Sequence, residues 1–193
     1  NLGVVRVASH RSFVVADIPG LIKGASEGAG LGIRFLKHLV RTRLLLHVVD
    51  MAPFDDQDPA EAVQEIANEL DNFSATLAAR DRWLVFNKLD MVPDEKREKR
   101  CSDVLEKLGW EGPVYQISAL NSEGLDVLCW DIMRWIEGKA EAEAADAGLA
   151  EHEASLKVQM QTEARDRLEA YKQARKGGRP SDTNASDDDD DFD

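Results

Sequence analysis

Apolar residues recur along this chain at two spacings, and the change from one to the other marks its elements. Val4–Val7 and Ser12–Ala16 are short apolar runs of strand length with His10-Arg11 between them, which predicts a hairpin. Ile33, Leu36 and Val40 share one helical face, with Arg34, Lys37 and Arg41 on another, which predicts a helix over 33–41. Leu44–Val49 is a continuous apolar run, the pattern of a strand buried on both faces. Asp58-Pro59-Ala60-Glu61 then opens a helix. Asp58 can cap it, Pro59 fits the first helical position, and Glu61 can reach back as in a capping box. Val63, Ile66, Leu70, Phe73 and Leu77 continue that helix at its own spacing. A strand is predicted at Arg82–Phe86, then a helix from Asp94 that buries Cys101, Val104, Leu105 and Leu108. Val114–Ile117 reads as a strand. Ser122–Ile136 reads as a helix with Leu125, Leu128, Cys129, Ile132 and Ile136 inward. Strands that alternate with helices predict an α/β fold, a mostly parallel sheet flanked by helices. Trp83, Trp110, Trp130 and Trp135 are assigned to packing.

The character changes near Gly138. Residues 138–176 form an Ala/Glu-rich extension with a thin apolar stripe of Leu149, Leu156, Met160, Leu168 and Tyr171. That pattern predicts a surface helix, interrupted at Gly148. Residues 177–193 read as a disordered acidic tail, because such a segment cannot bury enough apolar surface to order itself.

Composition narrows the function classes. The net charge is −13, and residues 181–193 alone hold seven Asp and no basic residue, which leaves −6 for the rest. Overall charge therefore gives no reason to expect a nucleic-acid binder. Arg34, Lys37 and Arg41 are a local basic face that could meet RNA phosphates, or simply a solvated face. Residues 163–179 hold six basic and three acidic residues, and the acidic tail can be read as a shield for that patch or as a solubilising appendage. The two cysteines lie outside any CxxC pair and read as reduced thiols of a cytoplasmic protein, and no His/Cys cluster has zinc spacing. No apolar stretch approaches the roughly 20 residues of a membrane span.

Three short motifs fall at the ends of predicted strands, where open α/β sheets bind ligands. The first is Asp17-Ile18-Pro19-Gly20. An aspartate at a strand mouth suits a Mg²⁺ ion held through water, since Mg²⁺ keeps several of its waters. Gly20 lets its amide approach a terminal phosphate closely. The competing reading is an ordinary turn. The second motif is Asn87-Lys88-Leu89-Asp90. Asp90 can accept from both N–H groups on the guanine edge, and adenine offers no donor there. The Lys88 stem can lie along the base, and Asn87 can tie loop and base together. The third is Ser118-Ala119-Leu120, where a tight turn can offer the Ala119 amide to guanine O6. No His/Asp pattern accompanies Ser118 to make it a nucleophile.

In this order the three motifs resemble those of P-loop GTPases. The strings NLGVV, FVVADIPGLI, GAGLG, FLKHL and RWLVFNKLDMV are similar to the Obg family of bacterial GTPases, over about residues 1–137. The resemblance implies a cytoplasmic, monomeric enzyme that hydrolyses GTP to GDP with Mg²⁺. It further implies action on the large ribosomal subunit and its rRNA late in assembly, and a response to guanosine tetraphosphate. Asp17–Gly32, with five glycines in sixteen residues, then stands as switch II, ordered around the γ-phosphate and released after hydrolysis. Gly20 and Leu21 would adjoin that phosphate. Leu21 stands where many GTPases carry a water-orienting Gln, which implies slow intrinsic hydrolysis. Lys23 departs from the acidic residue that the family pattern carries there.

The GxxxxGK loop with a following Ser or Thr is not in this sequence. Gly138-Lys139-Ala140 has neither the leading glycine nor the hydroxyl. A switch I threonine and a glycine-rich N-terminal domain are not found either. The reading therefore expects a partial GTPase domain over 1–137, clipped at its N-terminus, with the phosphate loop roughly 20–30 residues upstream of Asn1. Such a fragment is expected to melt easily, because strand edges stay open, and to hydrolyse little GTP alone. Two other readings stand beside it: a guanine- or partner-binding module without catalysis, and a related GTPase acting elsewhere in translation.

Overall fold

A computed structural model describes residues 2–17 and 42–177 of the chain. The helix expected over 33–41, most of the glycine-rich stretch and the acidic run from residue 178 lie outside the described residues.

The first hairpin forms where the apolar runs placed it. Strands β1 (Leu2–Ala8) and β2 (Arg11–Ala16) pair antiparallel, with Val4 opposite Val14 and Val5 opposite Phe13. His10 supplies the tight corner with φ 64°. One face of this ribbon, through Val5, Val7 and Phe13, joins the core. The other presents Leu2, Val4 and Val14 to solvent.

Three further strands form a separate parallel sheet in the order β3-β4-β5. They are β3 (Leu44–Asp50), β4 (Asp81–Asn87) and β5 (Val114–Gln116). Register runs from Leu44 opposite Asp81 to Asp50 opposite Asn87. Leu84, Phe86 and Val49 face α1 (Pro59–Phe73) and α3 (Asp94–Leu108), against Val63, Cys101 and Val104. Trp83 and Val85 face the opposite way, against Leu128, Ile132 and Met133 of α4 (Leu125–Ala145) and Phe13 of the hairpin. This two-sided burial explains the unbroken apolar run of β4. Among the described residues the hairpin is tied to the sheet by side chains rather than by ladder hydrogen bonds, and β3 lies at the edge of the three described strands.

Local chemistry shifts several boundaries. Asp58 caps α1 by accepting from the Ala60 amide at 2.8 Å. Glu61 does not complete a capping box; it lies 3.8 Å from Lys107, which also pairs with Asp58. The helix expected to run through Leu77 stops at Ser74, whose extended backbone caps a short second helix, α2 (Ala75–Ala78). Serine is favoured there because its hydroxyl can take an orphan amide, here that of Leu77 at 3.0 Å. Gly109 ends α3 in the left-handed conformation, φ 57°. The helix expected from Ser122 starts at Leu125, after Gly124 at φ 72°. A Cβ on Gly124 would lie 2.4 Å from the Gln116 carbonyl oxygen, so only glycine fits this corner.

The extension is more than a surface helix. α4 runs on to Ala145, and the interruption comes at Asp146, whose carboxylate accepts from the Gly148 amide at 2.8 Å. The final helix, α5 (Ala147–Gly177), returns along α4 and α2. Met160 and Ala164 are buried, whereas Leu149 is exposed. Glu153 receives two hydrogen bonds from Arg80, at 2.5 and 3.1 Å, and Arg43 pairs with Glu143. Glu163 accepts from the Ser74 and Thr76 hydroxyls, both at 2.5 Å. Burial alone would raise the Glu163 pKa, but these hydroxyls and the Thr76 amide hold it below the usual range.

Trp83 stacks on Tyr115 at 5.2 Å and meets Trp135 edge-on, and Trp110 packs against the α1/α3 core. Trp130 differs: it sits at the surface with the Arg11 guanidinium 4.8 Å above its ring. Both cysteines are free thiols, Cys101 buried and Cys129 half-buried.

Candidate functional site

The carboxyl ends of β4 and β5 bring two of the three motifs together. β4 ends at Asn87, and its register carries Phe86 opposite Gln116. The Leu89 amide donates to the Ile117 carbonyl at 3.3 Å, which fastens the first loop to the second. Asn87, expected to tie loop and base together, here joins the first loop to the second. Its Oδ1 accepts from the Ala119 amide at 2.9 Å. In this arrangement the Ala119 N–H, expected to meet guanine O6, is engaged by Asn87, and the Asn87 side-chain amide keeps its donors.

Lys88 turns the chain sharply, with φ 63° and ψ 31°. Left-handed backbone costs a non-glycine residue about 1 kcal/mol. A short 3-10 turn over Leu89–Met91 follows, with the Met91 amide donating to the Lys88 carbonyl at 3.0 Å. Leu89 is buried and anchors the turn, whereas Asp90 is half-buried at its rim. Among the described residues, none donates to the Asp90 carboxylate. Its two oxygens are thus available as acceptors side by side, the complement of a guanine edge.

The second loop is held from within. Ser118 is 1% exposed, and its Oγ accepts from the Asn121 amide at 3.1 Å. Ser118 and Glu123 exchange both backbone hydrogen bonds, at 3.1 and 3.0 Å. Ser118 is therefore a loop-shaping residue. Ala119 and Leu120 project from the turn, and Leu120 is 86% exposed.

Asp17 is exposed one residue past β2 and makes no hydrogen bond or ion pair with the other two loops among the described residues. It belongs to the hairpin, not to the three-stranded sheet. Ile18, Pro19, Gly20 and Leu21 lie outside the described residues. No group of three His, Cys, Asp or Glu side chains that could hold a metal occurs among the described residues. A single unpaired carboxylate fits an ion that keeps its waters and takes its remaining oxygens from phosphate.

Two residues of this region went unremarked in the sequence. Asp50, at the end of β3, accepts from Lys88 Nζ at 2.6 Å. Phe54 is 91% exposed, with its ring 5.5 Å from the same ammonium. The signal for Asp50 was its position: it closes an apolar strand, as Asn87 does. Phe54 carried no such signal.

Residues 1–88 match the model of a family described as 50S ribosome-binding GTPase. The matched segment takes in the hairpin, Asp17, β3, β4 and the Asn87-Lys88 pair, and stops short of Asp90 and Ser118–Leu120. The match supports a P-loop GTPase family, and with it guanine-nucleotide binding and GTP hydrolysis as the general chemistry. The parallel α/β sheet is the fold of that class. No helix among the described residues is long and apolar enough to cross a membrane.

Proposed function

We propose that this chain reads guanine through Asn87–Asp90 and Ser118–Leu120, as part of an Obg-type GTPase that acts in the cytoplasm on the large ribosomal subunit. The observation that carries the guanine reading is the Asn87 Oδ1–Ala119 N–H bond at 2.9 Å, beside an Asp90 carboxylate without a donor among the described residues. One motif fixes the other, and the two Asp90 oxygens have no donor among the described residues. A guanine edge supplies the two donors; adenine would leave a carboxylate unpaired, which costs affinity.

Each residue has a part in this reading. Asp90 accepts from the base edge. The Lys88 stem lies along a base face, and exposed Leu120 closes over the opposite side. Asn87 holds the second loop in place. The Ala119 amide, engaged by Asn87, would have to exchange that bond to meet O6, and Leu89 roots the first loop in the core. Asp17 would hold Mg²⁺ through water, and the ion would supply charge neutralisation at the phosphates. Asp17, Ile18, Pro19, Gly20 and Leu21 serve as the γ-phosphate switch, with no side chain at Leu21 to orient water, so hydrolysis is slow. Ribosomal RNA and guanosine tetraphosphate are the further partners of this proposal. The word ribosome in the description of the matched family supports the ribosomal part.

The test is competition against a fluorescent GDP analogue, followed by co-sedimentation with large ribosomal subunits. GDP and GTP should displace the probe where ADP at the same concentration does not. Equal displacement by ADP contradicts the guanine reading. No co-sedimentation at low salt with either nucleotide contradicts the ribosomal one.

A further inference from the structure

Asp50 and Asn87 close adjacent parallel strands and are register partners. The Met51 amide donates to the Asn87 carbonyl at 3.1 Å, so the end of β3 is stitched to the start of the guanine-reading loop. The two oxygens of Asp50 divide their work. Oδ1 accepts from the Ala52 amide at 2.9 Å, which fixes the carboxylate to its own turn. Oδ2 accepts from Lys88 Nζ at 2.6 Å. Phe54 covers the same ammonium from another side.

A lysine on an exposed loop samples many rotamers, and binding must order them. Here both ends of the side chain are held: the backbone by its left-handed turn and the ammonium by Asp50. The four-carbon stem joins that turn to the ammonium held by Asp50. We propose that Asp50 is a positioning residue for nucleotide binding, which holds Lys88 so that its stem is a ready shelf for the base. This rests on the guanine reading above. Asp50 acts through Lys88 and does not touch the base edge, so discrimination between bases stays with Asp90.

The experiment measures GDP and IDP affinity for the chain and for Asp50→Ala, Asp50→Asn, Lys88→Met and the double variant Asp50→Ala/Lys88→Met, with melting curves for each. IDP lacks the exocyclic amine but keeps N1–H, so the GDP/IDP ratio reports on the contact that Asp90 makes to that amine in this reading. Asp50→Ala should weaken both nucleotides by roughly three- to tenfold and leave their ratio unchanged. Asp50→Asn keeps one acceptor oxygen, enough for the Ala52 amide or for Lys88 but not for both as they stand, and should recover at most part of that loss. In the Lys88→Met background, Asp50→Ala should cost nothing further. Unchanged affinity for Asp50→Ala overturns the proposal, as does an equal loss in both backgrounds, which would make Asp50 a structural residue. If Asp50→Ala does not fold, the same cycle is run with Asp50→Asn, and the same two results decide. ADP bound as tightly as GDP by the unaltered chain is a separate result, and it strikes the guanine reading itself.

Discussion

Asn87 Oδ1 accepts the Ala119 amide at 2.9 Å, across 32 positions of sequence. That bond joins the loops after β4 and β5 into one surface. Asn87→Ala should therefore loosen both. The loss of this exposed hydrogen bond should cost at most about 1 kcal/mol of stability. Urea unfolding measures that cost, and faster hydrogen exchange at the Ala119 amide should accompany it. Unchanged exchange there would mean that the two loops hold themselves.

Asp90 is the base-selecting group of this account. Asp90→Ala should weaken GDP at least about tenfold and bring it level with IDP, while stability changes by less than about 0.5 kcal/mol. Titration calorimetry with both nucleotides checks it. A preserved preference for GDP over IDP would remove Asp90 from the role.

Gly124 makes the corner from which α4 departs. Its φ is 72°, and a Cβ would meet the Gln116 carbonyl oxygen at 2.4 Å. Gly124→Ala should cost roughly 2–4 kcal/mol, from backbone strain and a forced shift of β5. The midpoint of chemical unfolding reads this directly.

Glu153 and Arg80 are the most buried ion pair of the α5 contact, with side chains 13% and 7% exposed. Burial raises the Glu153 pKa, and the hydrogen bonds from Arg80 with the charges of Arg80, Arg43 and Lys157 more than reverse it. Glu153→Ala leaves Arg80 buried without its partner, and Arg80 Nε already lacks one. The expected loss is about 3 kcal/mol, with α5 exchanging its amides faster than β4. A loss below about 1 kcal/mol would mean that Met160 and Ala164 dock the helix alone.

His47 lies on β3 with its pKa lowered to about 4, first by burial and then by the charge of Arg82. An unfolded chain takes up that proton near pH 6.5, whereas the folded chain resists until about pH 4. Above pH 6.5 both states are neutral and His47 adds no pH dependence. As pH falls from 6.5 to 4, the unfolded state gains protons first and stability drops, by an amount of order 3 kcal/mol. His47→Gln should flatten that part of the stability–pH profile. An imidazole that titrates near 6.5 by NMR would contradict it.

Much of this was legible in the sequence because it is local. The apolar run Leu44–Val49 and the block Trp83–Phe86 are continuous and of strand length, which marks β3 and β4, and Asp58-Pro59 marks the start of α1 through capping chemistry. Asn87–Asp90 and Ser118–Leu120 stand out in the sequence by residue type, and the sheet brings both to adjacent strand ends. Other features depend on partners distant in sequence. Ser74 breaks a helical pattern because it caps α2 and meets Glu163, 89 positions away. The weak stripe of α5 hid its docking, since Arg80, Ser74 and Thr76 hold it by polar contacts. Asp50 looked like the end of a strand; its contact with Lys88 appears only once the register is known. The hairpin that precedes Asp17, expected from its two apolar runs, forms its own two-stranded ribbon among the described residues.

The most direct test of the central claim is a titration of the ¹⁵N-labelled chain with GDP, followed by amide NMR, with ADP as the control. Saturable shifts are expected at Asn87–Asp90 and Ser118–Leu120 with GDP, and none of that size with ADP. Shifts of equal size with ADP, or GDP shifts confined to other parts of the chain, would contradict it.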